Sequence, residues 1–107
     1  MTDPNKAVDY ILANATKFAK AKSERVYLEE FRKSKKAILM AASLEQAIGA
    51  QEREAYSHPE YIQLLVALKE AVEIEEKLRW DLIAAQARVE IWRTEQANQR
   101  AESKATI

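Results

Sequence analysis

His58 is the sole histidine of the chain, and Glu54 and Glu60 stand close to it in sequence, a grouping of residue types that a divalent cation could attract. A carboxylate–histidine metal site in a helical bundle needs a Glu-x-x-His pair on each of two helices plus further glutamates, which one histidine cannot supply. No metal and no cofactor are therefore expected, and His58 reads as a turn residue. Catalysis is not expected either. A hydrolytic site needs a nucleophile, a base and an orienting group on a rigid frame, and the sequence has no cysteine and no glycine-rich phosphate loop. The acidic cluster Glu70, Glu73, Glu75 and Glu76 could mimic a phosphate backbone or meet a basic protein. Such runs are more often solvated helix surface.

Charge offers a second chemistry. Seventeen basic and seventeen acidic residues cancel in the formal count, so the whole molecule has no electrostatic bias toward nucleic acid or membrane. Their distribution is uneven. Between positions 17 and 36 there are eight basic residues (Lys17, Lys20, Lys22, Arg25, Arg32, Lys33, Lys35 and Lys36) against three acidic ones. Between 45 and 77 the balance is eight acidic against three basic. The basic run could track a DNA or RNA backbone by neutralising phosphates without reading bases. Tyr27 and Phe31 lie within it and could stack on bases, although their spacing marks them as core.

The two tryptophans are the third candidate, because indole concentrates binding energy where it is buried at an interface. Trp92 falls in the main apolar seam of its helix and reads as core. Trp80 lies across that helix with Ala84, Ala87 and Ile91, where it serves either intramolecular packing or a subunit contact; these four residues are the candidate oligomer interface.

The elements that must position these residues are long helices. One glycine and two prolines in 107 residues leave too little punctuation for a sandwich, a barrel or alternating βα units, and 48% hydrophobic with 32% charged residues is the balance of a soluble, helix-rich single domain, residues 1–107. The absence of cysteine and of a basic-then-apolar leader at Met1-Thr2-Asp3-Pro4 suggests a cytoplasmic setting. The longest uninterrupted apolar run, residues 37–42, is far short of the roughly 20 residues that span a bilayer, so no membrane partner is expected.

Asp3-Pro4 is a helix start, with an aspartate to cap free N–H groups and a proline that loses no hydrogen bond at the first position. A helix over about 4–22 carries Val8, Ile11, Ala15 and Phe18 on one stripe. The polar stretch around Ser23 permits a break without requiring one, so a second helix over about 24–54 either continues the first or follows it. Tyr27, Phe31, Ile38, Ala41 and Ile48 continue the stripe, and Gly49 is a weak point. A turn over 55–58 reverses the chain. Pro59 cannot continue a helix there, and Ser57 with Glu60 forms an S-x-x-E capping signature. The last helix, about 58–101, would be about 65 Å long and precedes a tail over 102–107. Tyr61, Leu64, Leu68, Ala71, Glu75, Leu78, Leu82, Ala85, Val89 and Trp92 follow a 3,4 alternation along it, a coiled-coil seam with one polar member. Glu75 is then expected to pair with a cation of the facing helix and to fix register.

The resulting fold is all-α: a long antiparallel, coiled-coil-like helical hairpin. With the turn near 57, residue 36 sits beside about residue 78, and the basic run meets Arg79, Arg88 and Arg93. The last helix has two apolar faces and needs two partners. One antiparallel neighbour covers one of them; the other must meet either the segment before Ser23, folded back as a third helix, or a second copy of the chain, and the second copy is favoured, giving a homo-oligomer with a dimer favoured.

The stretches 25–37 (RVYLEEFRKSKKA), 51–56 (QEREAY), 76–80 (EKLRW) and 87–95 (ARVEIWRTE) resemble small helical proteins of tailed bacteriophages and prophages, over about residues 20–101. That group has no assigned activity. Its members lie among early-region recombination and replication functions, so the resemblance implies an accessory role in DNA metabolism in the host cytoplasm, by association alone. The expected function is a non-enzymatic interaction protein with a macromolecular partner, and the alternative is a nucleic-acid-contacting accessory protein using residues 17–36.

Overall fold

The computed structural model describes residues 3–105; Met1 and Thr2, and the end of the expected tail, Thr106 and Ile107, lie outside the described residues. Among the described residues the fold is an all-α antiparallel helical hairpin of three helices, α1 (Pro4–Ala42), α2 (Ile48–Ser57) and α3 (Pro59–Ala105). Asp3 caps α1 as its sequence demands, its Oδ1 accepting from the N–H of Asn5 at 2.9 Å and of Lys6 at 3.4 Å. α1 runs unbroken through Ser23, where no glycine or proline forces a stop. Residues 102–105, expected in a tail, close α3.

The helix expected over 24–54 is interrupted, and the break lies at 43–47. No glycine or proline marks it. Ser43 makes it instead: its N–H bonds the Met40 carbonyl at 3.2 Å, its Oγ accepts from the Glu45 N–H at 3.1 Å and donates to the Glu54 carboxylate. A serine hydroxyl that serves the backbone in this way competes with helical continuation. Ala47 is extended, at φ −77° and ψ 135°, and α2 starts after it. Gly49 sits inside α2 and ends nothing.

The second boundary is His58, extended at φ −67° and ψ 136° as a residue before proline must be. Its Nδ1 accepts from the Glu60 N–H at 3.1 Å, so His58 caps α3. Ser57, expected to do so, turns its hydroxyl back to the carbonyls of Arg53 (2.8 Å) and Glu54 (3.2 Å).

The chain divides into two compact units, residues 20–75 and the paired segments 3–19 and 76–105. In the first, the core gathers Leu39 of α1, Ala55 of α2 and Tyr61 of α3, with Met40 packed against them. Leu28 and Ala71 are buried along the same seam. In the second, the fully buried positions are Ala7 and Ala85, with Ile11, Phe18, Leu78, Leu82, Val89 and Trp92 half-buried.

The α3 seam lies inward as its 3,4 alternation requires, but the α1 stripe does not. Tyr27, Ile38, Ala41 and Ile48 face solvent, as do Val8 and Ala15. The inward positions of α1 include Asn14, Ala21, Arg25 and Lys35 beside Ile11, Phe18, Leu28 and Leu39. Long cationic side chains lay their methylene stems along apolar surface while the heads find partners, and a stripe sought by hydrophobicity alone passes over them. The two alternatives differ by one residue at the end of α1. Leu39→Ala is expected to cost about 2–5 kcal/mol, and Ile38→Ala about 0.5 kcal/mol or less, in urea denaturation; equal losses would favour the outer stripe.

Candidate functional site

Reversal of the chain over residues 43–58, with α2 inside it, sets the register of the hairpin and with it the fate of the basic run. A turn near 57 would place Arg25 opposite about residue 89; it meets Glu75 instead, with Nε 2.5 Å and Nη2 3.0 Å from the carboxylate oxygens. Glu75 is buried, and Arg25 also holds Glu29 one turn along α1 at 3.0 Å. The bidentate bond to Glu75, before any other influence, raises the already high pKa of the guanidinium. Lys35 pairs with Glu60 at 2.8 Å, and this hydrogen bond lowers the Glu60 carboxyl below its ordinary range. Lys36 pairs with Glu52 at 3.0 Å.

The expected meeting of the basic run with Arg79, Arg88 and Arg93 is thus corrected. Its inward cations face acids of α2 and α3. The physical cause is α2, which occupies sequence that a single tight turn would have given to the antiparallel pairing. Arg79 is held by Glu76 of its own helix, and Arg93 by Glu90. Of the acidic cluster, Glu75 and Glu76 are engaged in this way, while Glu70 and Glu73 are exposed on α3. Lys17, Lys20 and Lys22 are solvated along α1, and they and Arg32 form no ion pair among the described residues.

Around Lys36 the structure brings together residues that their sequence positions do not connect. The Lys36 ammonium lies 4.7 Å from the centroid of the Tyr56 ring. Hydrogen bonds to Tyr56 first, then to Glu52, raise its pKa. Tyr56 meets Tyr61 edge to face, with centroids 5.3 Å apart and planes at 77°. These two rings with Arg32, Lys33 and Lys36 bound a recess of about 490 Å³. Sequence reading missed the tyrosines as a site because they reach the cations only in the observed register. The signal that could have found them is Ser43 as a helix breaker. Tyr27 and Phe31 stack on each other at 5.7 Å along α1, with Tyr27 exposed.

The outer stripe of α3 is placed as its spacing implies. Trp80, Ala84, Ala87 and Ile91 are all exposed, Trp80 to 61% and Ile91 to 51%, with Ile83 beside them. The Arg79 guanidinium lies 5.8 Å from the Trp80 ring. Ala84 also lines a groove of about 700 Å³ with Tyr10, Asp81, Ala85 and Arg88. There Lys77 bonds Asp81 at 2.9 Å, and this bond first, then one from Tyr10, lowers the Asp81 carboxyl. His58 is spent on the α3 cap, and no group of three metal-ligating side chains occurs among the described residues. No helix among them is long and apolar enough to cross a membrane.

Two consequences are measurable. Arg25→Leu removes the bidentate cation from the buried Glu75 carboxylate and should lower stability well beyond what Arg25→Leu/Glu75→Leu loses, because the double variant also removes the charge that needs neutralising; single losses that simply add in a urea double-mutant cycle would contradict this. Glu60, with its folded pKa lowered, contributes stability that is present above the ordinary carboxylate range and is lost as pH falls through the folded value. Lys35→Met should therefore flatten the acid limb of the stability curve, and an unchanged limb would assign the slope to other groups.

No protein-family model, no curated protein sequence and no solved structure matches this chain.

Proposed function

We propose that the protein is a non-enzymatic interaction module that self-associates through the outer stripe of α3, with a dimer as the simplest assembly, and presents its ion-paired surface to a macromolecular partner. The observation that carries this reading is the exposure of Trp80 with Ile83 and Ile91 on one side of α3. Each large apolar side chain withdrawn from water is worth roughly 1.5–3 kcal/mol, a large fraction of the 5–15 kcal/mol that holds a domain folded. Ala84 and Ala87 lie between the bulky members of the stripe and leave room for a neighbour's indole, so the stripe is self-complementary under a two-fold axis. The non-enzymatic part of the reading is supported by the employment of the sole histidine as a helix cap and of the buried Glu75 carboxylate in an ion pair. The resemblance to phage and prophage proteins adds a setting, the cytoplasm of a bacterial host.

A second reading, an accessory protein that contacts nucleic acid through the 17–36 segment, is favoured by one observation. Beside Tyr56, Arg32 forms no ion pair among the described residues and Lys33 holds only the exposed Glu30 of its own helix, while Arg25, Lys35 and Lys36 are paired with acids of other helices.

Light scattering over a range of concentrations tests the first reading. The mass is expected to rise toward that of a dimer with concentration, and Trp80→Glu to weaken the association about 30-fold or more, as loss of an interface hot spot does. A monomer at every concentration would overturn it.

A further inference from the structure

The recess beside Tyr56 has the composition of a site for an anion that carries a flat ring. Three cationic side chains and two tyrosines line it, and its 490 Å³ falls within the roughly 300–1,000 Å³ of small-molecule sites. The cations differ in how firmly they are held. Arg32 forms no ion pair among the described residues. Lys33 holds only Glu30, three residues back on the same helix at 3.3 Å, with both side chains about two-thirds exposed or more (71% and 68%). Such a pair contributes little to stability and gives way readily to a stronger acceptor. Lys36 is fixed between Glu52 and Tyr56 and neutralises the Glu52 carboxylate.

The aromatic wall is rigid before any ligand arrives. Tyr61 is buried and holds Tyr56 edge to face, Lys36 lies over the Tyr56 ring, and Tyr56 still keeps 48% of its surface in solvent. A braced, half-open ring loses little freedom when a second ring lies against it. Cations that neutralise phosphate beside an aromatic side chain on which a base can stack are the two components of single-strand recognition. A duplex cannot use the ring, because its bases are already stacked on each other.

We propose that this recess seats one nucleotide of a single-stranded nucleic acid, with the phosphate at Arg32 and Lys33 and the base against Tyr56. The inference rests on the nucleic-acid reading above and narrows it from a twenty-residue basic run to five side chains.

Fluorescence anisotropy with a short labelled oligothymidylate at low salt tests it. Tyr56→Ala should weaken binding about 5- to 150-fold, the range found for loss of one base–aromatic stack, and Tyr56→Phe should retain it. Arg32→Ala with Lys33→Ala should weaken binding and reduce the slope of log affinity against log salt by roughly 1 or more. Removing Lys17, Lys20 and Lys22 together should have the smaller effect, and thermal unfolding followed by circular dichroism checks that each variant folds. Binding that depends on those three lysines and ignores the recess variants overturns the site and leaves the nucleic-acid reading standing. Absence of binding at low salt overturns both. Equal affinity for a duplex of the same length, or displacement by inorganic phosphate at matched ionic strength, would make the recess a plain anion site and overturn the nucleotide assignment.

Discussion

A carboxylate set into an apolar helix seam has to be neutralised where it stands, and in the unit formed by residues 20–75 Glu75 obtains this from Arg25 of α1. Taking either charge out of water is expensive, and mutual attraction repays the cost only when geometry is good and the remaining lone pairs are used. The guanidinium meets the requirement by offering two parallel donors to Glu75 and a third to Glu29. Such a pair tolerates little sliding. A slip of α1 by one heptad would place Phe18 or Arg32 opposite Glu75 and leave Arg25 against an apolar position. The Lys35–Glu60 bond further along joins the same two helices.

Agreement between these two pairs requires the reversal to consume the residues between Ala42 and Pro59, which is the work of Ser43, α2 and His58. Ser43 offers its hydroxyl to the backbone and to Glu54, and His58 is held extended by Pro59 while its ring caps the next helix. Between them α2 brings Ala55 into the core and puts Glu52 and Tyr56 against Lys36. The same short helix therefore closes the apolar core at that end, cancels part of the basic run and erects the aromatic wall beside the cations it leaves free.

How much of this was legible in the sequence differs sharply between the two long helices. In α3 nine of ten seam positions are apolar or aromatic, so the 3,4 alternation alone identifies the buried face, and the outer stripe around Trp80 follows as its complement. In α1 the buried face holds Asn14, Arg25 and Lys35, whose burial makes sense only beside Glu75 and Glu60, residues of another helix. A periodicity search cannot see a partner. It selects Tyr27 and Ile38, which share the opposite side. The Ser43 break is harder to read for a related reason: its hydroxyl accepts locally from the Glu45 N–H, but its second bond goes to Glu54, a tertiary partner that the sequence alone does not place beside it. The recess inherits both difficulties, since Tyr56 and Tyr61 become neighbours of Arg32 only after the register is known.

Alanine at the closest contacts explains why the protein has apolar surface to spare. Ala7, Ala55, Ala71 and Ala85 are among the most buried side chains, and no large side chain among the described residues is sealed completely. Small residues let helices approach closely but withdraw little area from water, so each contact contributes less than a leucine would. Isolated exposed apolar residues are ordinary on any protein. Trp80, Ile83 and Ile91 are not isolated: they lie within three turns on one side of α3, with alanines between them, the grouping on which the proposed self-association rests. Close approach through alanines inside the chain thus goes together with large apolar side chains left on the outer side of α3.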